Sequence, residues 1–372
     1  MWSHLRFFGT HLLVAIAAAG LLAGGAFMWS GLLAGVLLWI GADALSGPAH
    51  RPPRYAHPLL LDAALYSLFP SLVALFLVFL WSIAPDDSLG LGAIVERSTG
   101  IDVLARRAAS DWLDYSGAAA SFALAVALAG ILTAHELFHR TDDPLAMFTS
   151  RWMLAIACNS TLEVAHVYGH HQDVGTDADV STARRGENVY AFFVRSTLGQ
   201  IGQAWGIECR RLATQGRSRF GVHNKVIRGF VRSYAVLGLV FTVGGVAGLA
   251  VFLSAVFWNK LILEALNYLE HYGLVRVPGQ PFETRHAWNS DREVSHAVLF
   301  HLPFHAEHHF EPRLPYYRLE RDARAPILPW GYLASLALTF VPPLWRRIVD
   351  PALRQWDAAR ASSDELRILG EA

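Results

Sequence analysis

The sequence predicts an all-α membrane protein in which six transmembrane helices carry a histidine-rich cytoplasmic cap. Three observations predict it. Of 372 residues, 53% are hydrophobic and only 17% charged, against about a quarter charged in a typical soluble domain. The apolar residues gather in runs long enough to cross a bilayer, which takes about 20 residues of helix. Eight histidines fall in three short boxes: "HELFH" at 135–139, "HVYGHH" at 166–171 and "HAEHH" at 305–309.

The first two spans, 9–27 and 30–46, are parted only by a "MWSG" break. They read as a helical hairpin and not as a cleaved signal peptide, whose apolar core runs for only about 7–15 residues. The third span is 58–84. The fourth, 115–138, opens on "SGAAASFALAVALAG", whose small residues let neighbouring helices approach closely. A less apolar helix near 148–171 lies at the interface or re-enters it. Spans 229–246 and 248–268 form a second tight hairpin. Charges in the spans are few and sit mostly towards their ends.

Arginine placement orients the bundle. The loop 47–57 carries Arg51 and Arg54 and no acid. The loop 85–114 carries Asp86, Asp87, Glu96, Asp102, Asp111 and Asp114 against three arginines. Segment 172–228 holds Arg184, Arg185, Arg195, Arg210, Arg211, Arg217 and Arg219. With six spans, both termini, the basic loops and all three histidine boxes lie in the cytoplasm of a bacterial inner-membrane protein, and the acidic loop faces out. The whole chain, 1–372, is one domain, with 140–228 and 269–372 as its cap. A formal net charge of zero gives nucleic acid no basic surface to bind. Cys158 and Cys209 make neither a disulfide framework nor a CxxC site.

Neutral imidazole is a common ligand for iron, zinc and copper. Residues i, i+3 and i+4 share a helix face, so each box can aim at least two rings at one point. Eight rings exceed one ion, and two metal ions account for them. His271, in "NYLEHYGL", is a ninth candidate ligand. Glu136, Glu270 and Glu307 each adjoin a box histidine and are expected to accept a ring N–H and fix its tautomer. The lone histidines His4, His11, His50, His57, His223, His286, His296 and His301 read as satisfied polar residues. "HELFH" alone also fits the zinc-protease pattern H-E-x-x-H, but that leaves two boxes and His271 without a role. A transporter would call for mid-membrane charges or broken spans.

Together these motifs resemble the integral-membrane non-haem diiron family of fatty-acid desaturases and alkane hydroxylases, and within it the alkane 1-monooxygenases (AlkB type). The resemblance covers nearly the whole chain, most strongly 130–320. "HELFHR" at 135–140 resembles the family's first box, and "HVYGHHQDVGTDADVSTARRGENVY" at 166–190 its second box with an acidic segment ending in Gly-Glu. "NYLEHYGL" at 267–274 is similar to the motif that separates hydroxylases from desaturases. "HAWNSDREVSHAVLFHLPFHAEHH" at 286–309 resembles the Trp-Asn-Ser segment and third box, and "VPPLWRRIVDP" is also similar. Ala165 stands where the family usually has Glu. Pro303, Phe304, Ala306 and Glu307 depart from its third box, and Phe310 with "EPRLPYYRL" is closer to a desaturase tail.

The resemblance implies nine ligands, His135, His139, His166, His170, His171, His271, His305, His308 and His309, holding two iron ions that use O2 as co-substrate. It implies oxidation of an alkyl C–H bond, most simply the terminal carbon of an n-alkane. The alternatives on the same scaffold are fatty-acyl desaturation and attack on a xylene-type methyl group. The chain has neither a dinucleotide fingerprint nor a four-cysteine iron–sulfur pattern, so electrons come from a separate carrier. The resemblance implies rubredoxin or ferredoxin with its NAD(P)H-dependent reductase; Arg184, Arg185, Arg210, Arg211, Arg217 and Arg219 offer such an acidic carrier a basic surface, with ordinary positive-inside bias as the equal alternative. An apolar substrate enters from the bilayer, where each methylene contributes about 0.8 kcal/mol to partitioning. Trp39, Phe69 and Leu72 are candidates for the deep end of its pocket, with core packing as the plainer reading.

Overall fold

The computed structural model describes residues 2–48, 55–88 and 90–370. Among them helices are the regular elements, with two isolated β-bridges and no strand. Arg51, Arg54 and His50, used above, lie outside the described residues. The principal helices are α1 (Arg6–Ala23), α2 (Gly25–Leu45), α3 (Pro58–Ile83), α4 (Trp112–Phe138), α5 (Pro144–Ile156), α6 (Val189–Thr214) and α7 (Lys225–His271). Of these, α1 to α4 and α7 are long and apolar enough to cross a membrane.

The turn between α1 and α2 falls at Gly24 and not at the expected "MWSG" break. Gly24 has φ +71°, a conformation that glycine adopts without steric cost, whereas Met28 and Trp29 continue a helical turn.

At 47 residues, α7 would be about 70 Å long if straight, over twice a bilayer's hydrocarbon thickness. It is not straight. Gly245 is non-helical at φ 60°, ψ −156°. Ser233 Oγ lies 2.9 Å from Ser160 Oγ, and Lys260 Nζ donates to the neighbouring Asn159 Oδ1 at 3.3 Å. Residues 27 apart would be about 40 Å apart along one axis, so both can reach adjacent residues only if the chain doubles back at Gly245. The two arms correspond to the expected pair of tight spans.

The fourth helix lies at the centre, with 94% of its apolar window buried. Asp111 caps it in a reciprocal capping box with Asp114. Its small residues do what their pattern predicts. Gly117 meets the Trp29 ring so closely that a Cβ would stand 2.5 Å from it. One turn on, Phe122 joins Phe76, Phe79 and Phe252 in a ring cluster with centroids 4.4 to 6.3 Å apart.

The expected helix at 148–171 is divided. α5 starts one residue after its Asp143 cap, and Cys158, at φ 51°, breaks the run. The second histidine box rides on a short helix, Leu162–Ala165, continued by a π-helical turn, His166–His170. Near the C-terminus, α8 (Pro342–Ala359) presents Trp345, Val349, Leu353 and Trp356 to the interior. It packs on the end of α7, with Trp345 5.6 Å from the Tyr272 ring.

Candidate metal centre

His135 closes α4 and His139 follows it; His271 closes α7. The third box forms its own short helix, His305–Phe310. In an α-helix residue i+5 points roughly 140° away from residue i. The π turn widens the helix so that residue i+5 comes round towards residue i. That local change lets His166 and His171 face the same point, while His170 faces another.

Nine histidines accordingly form two adjacent groups. His135, His139, His166, His171 and His308 offer ligand atoms that all lie within 4.8 Å of one another, and so do His170, His271, His305 and His309. The groups touch, with the His171 and His309 rings stacked at 4.2 Å. The Nε2 atoms converge. His135 and His166 approach through Nε2 at 2.8 Å, His171 and His166 at 3.0 Å, His271 and His305 at 3.1 Å, and His309 and His305 at 3.0 Å. The Nε2 atoms of His139, His170 and His308 are buried without a hydrogen-bond partner.

Unpartnered buried nitrogens are costly, and lone pairs facing one another repel. A cation in each group removes both penalties, so this donor set fits two metal ions. Burial, then the neighbouring rings, holds His139, His166, His171, His308 and His309 well below the ordinary histidine value. They are neutral, the form that binds metal.

The opposite ring nitrogens are oriented by the protein. His271 Nδ1–H donates to the His286 carbonyl at 3.2 Å. His170 Nδ1 lies 2.7 Å from Asp179, a buried carboxylate that also accepts from Thr182 Oγ1 and Ser181 N. Burial lowers His170, but the Asp179 charge and hydrogen bond outweigh it and leave the ring above its usual value. Asp179 was not named as a candidate, though it lies in the acidic segment after the second box; the following Ser181 and Thr182, an Asp-x-Ser-Thr pattern that braces a carboxylate, were its further sequence signal.

The three glutamates differ from one another. Glu270 Oε1 lies 3.3 Å from His305 Nδ1, near but off the hydrogen-bond direction, and accepts from Tyr332. Glu136 instead accepts from Arg140 at 3.1 Å and from the Tyr316 amide, because an arginine one turn along outcompetes a neutral ring. Glu307 is half-buried, and the charges that act on it are those of Asp322, Glu311, Glu320 and Arg324. Adjacency in sequence put the latter two on the wrong side of their helices.

The lone histidines behave as satisfied polar groups where their partners are defined. His286 bonds Glu365, His296 bonds the Ser290 carbonyl, and His301 meets Arg6 and Tyr55.

Two further features brace the centre. Arg276 donates from all three guanidinium nitrogens to the carbonyls of Val174, Gln280 and Gln172, tying the chain after His271 to the second box. Gly273 turns that chain at φ +71°, and a Cβ there would meet Leu353 at 2.9 Å. Beside His135 and His166 a narrow cavity of ≈ 20 Å³ is walled by Ile131, Leu132, Leu162, Leu263 and Leu266, with Asn267 and Glu270 at its polar side.

The chain is similar to an alkane 1-monooxygenase of Pseudomonas aeruginosa, 36% identical over 66% of this chain and 66% of the relative. It is also similar to one of Ectopseudomonas oleovorans, 33% identical over 66% of this chain and 62% of the relative. The matches therefore span just under two thirds of these relatives' own lengths. The xylene/toluene monooxygenase hydroxylase component XylM of Pseudomonas putida is 28% identical over 97% of this chain and 92% of its own. Residues 110–343 match the Fatty acid desaturase family. That stretch contains all nine converging histidines, and the chain belongs to this family.

Proposed function

We propose that the chain is an O2-dependent monooxygenase that hydroxylates an alkyl C–H bond at two iron ions. The simplest substrate is an n-alkane, attacked at its terminal carbon. The observation that carries this reading is the convergence of nine histidine ring nitrogens into groups of five and four. A zinc protease needs one ion and three protein ligands, and would leave one whole group without a purpose. Iron accepts up to about six ligands, so five and four imidazoles leave room at each ion. Two irons held this way supply the activation of O2 and the removal of hydrogen from an unactivated carbon.

The protein's part is to present one C–H bond and keep water out. The leucine-walled cavity beside His135 and His166 suits an alkyl end, with those two rings, Asn267 and Glu270 as its polar lining. Its volume admits about one small group, so a longer chain must thread between helices from the bilayer side.

In this reading the two arms of α7 are separate crossings, giving six spans, with both termini and the cap of 140–228 and 269–372 in the cytoplasm of a bacterial inner membrane. Electrons come from rubredoxin or ferredoxin. Arg210, Arg217 and Arg219 are exposed and suit an acidic carrier, whereas Arg185 is paired with Asp357 and Arg211 with Glu208.

A second substrate class, a methyl group on an aromatic ring, is favoured by the similarity to XylM along 97% of the chain. Protein in nanodiscs, supplied with reduced carrier and O2, should be offered octane, hexadecane, xylene and a long-chain acyl substrate together. A 1-alkanol supports the first reading and a benzylic alcohol the second. An unsaturated acyl product moves the chain to desaturation, and no product from iron-loaded protein refutes all three.

A further inference from the structure

Hydroxylation on the reading above, on which this inference rests, has a fixed proton demand. R–H, O2, two electrons and two protons give R–OH and H2O. The electrons come from the one-electron carrier, and the protons must cross an apolar shell to reach a buried centre.

The helix arm that ends in His271 carries two of the few charges within the expected spans, Lys260 and Glu264. Lys260 Nζ lies 2.6 Å from Glu264 Oε1, and Glu264 is fully buried. A charge pair buried in a spanning helix is costly and calls for a use. On one side Lys260 reaches a cavity of ≈ 310 Å³ lined by Asn159, Ser160, Thr161 and Thr197 beneath apolar walls. Asn159 Nδ2 and Thr197 Oγ1 are buried there without partners, so the floor is polar enough to hold water. On the other side Glu264 Oε2 accepts from Asn267 Nδ2 at 3.3 Å, and Asn267 lines the cavity beside His135 and His166. Gln200 holds the line in place. It donates to Glu264 at 3.0 Å and accepts from Lys260 at 2.8 Å.

We propose that Lys260 and Glu264 form the proton route from the Asn159–Thr197 pocket to the cavity at the metal centre. A proton passes from pocket water to the Lys260–Glu264 pair, then from the Glu264 carboxyl past Asn267 to the cavity. The pair is reset by the next proton from the pocket. Neither residue touches the metal site, so both act through what they deliver.

The test uses the full-length, iron-loaded protein in nanodiscs. Proton uptake on anaerobic chemical reduction is followed with an indicator dye in weak buffer, which needs no substrate. Glu264→Gln, nearly isosteric, should slow uptake by roughly tenfold or more at unchanged iron content, and should raise the solvent deuterium isotope effect on turnover. The double variant Lys260→Met with Glu264→Met removes both charges together, so it leaves no lone buried charge to unfold the arm; it should be equally slow. Wild-type uptake per iron in either variant overturns the route, because a merely structural role would change iron content or stability and leave that rate alone. If the wild type oxidises no substrate while its uptake still depends on Glu264, the monooxygenase reading fails and the route stands.

Discussion

At the scale of single residues, the centre is defined by which ring nitrogen each neighbour leaves free. Asp179 takes His170 Nδ1 and the His286 carbonyl takes His271 Nδ1, so both rings turn Nε2 inward. Partners of this kind are worth about 10- to 100-fold in metal affinity. Asp179→Asn should therefore weaken binding to the four-histidine group by that factor and spare the five-histidine group, which an iron titration would register as one tight and one loosened site. Equal loss at both would contradict the assignment. The histidines that converge were legible as a set because the box spacings bring rings onto shared helix faces, but their division was not, since His166 and His170, at i and i+4, fall in different groups. Asp179 was not legible either, because seven residues separate it from His171 and only the folded turn returns it. Glu136 and Glu307 were misread for the converse reason, since adjacency along a helix sends neighbouring side chains in different directions.

At the scale of elements, two joints decide whether the centre assembles. Gly273 has a positive φ and no space for a Cβ against Leu353. Gly273→Ala should cost about 1–3 kcal/mol, seen as a lowered unfolding midpoint in detergent, with the damage centred on the contact between α7 and α8. The second joint is the C-terminal helix α9 (Ser363–Leu369), clamped by Glu365 to Arg285, His286 and the Ser362 amide. Burial lowers the His286 pKa from 6.5. Against the opposing effect of burial, the Ser362 N–H, His286 and Arg285 lower that of Glu365 from 4.5. Both groups bind fewer protons folded than unfolded, so the clamp strengthens as pH rises. It should loosen below pH 6.5 as His286 is charged at unfolding, and further below pH 4.5 as Glu365 is protonated. Hydrogen exchange across 363–369 at a series of pH values, corrected for intrinsic rates, checks this; protection that grows towards acid would contradict it. The α7 hairpin was legible from its apolar runs, since a bilayer allows no 47-residue crossing. The π turn at His166–His170 was not, because nothing in "HVYGH" distinguishes it from an ordinary helical turn.

At the scale of the whole molecule, the ends of the bundle sort by chemistry. The histidine groups gather where α4 and the second arm of α7 end, and α3 ends at the level of the Gly245 turn, where Ile83 lies against Gly244 and Gly248. On the proposed topology, a single cysteine placed at Ser98 should react with a membrane-impermeant reagent from the periplasmic face. One placed at Ser218 should react only after the membrane is opened. Reaction of both from the same side would remove one crossing. Composition made the apolar helices legible, and arginine bias supplies the orientation that the cysteine labelling tests. The buried Lys260–Glu264 pair was hidden by the apolar residues around it, which dominate any average along the span.

The central claim is that nine converging imidazoles hold two iron ions, and the most direct measurement is metal analysis with Mössbauer spectroscopy on iron-57-grown protein purified in nanodiscs. The account predicts about two irons per chain with nitrogen-rich ligation, falling when any of the nine histidines is changed to alanine. One zinc per chain, or no stoichiometric metal in folded protein, would contradict it.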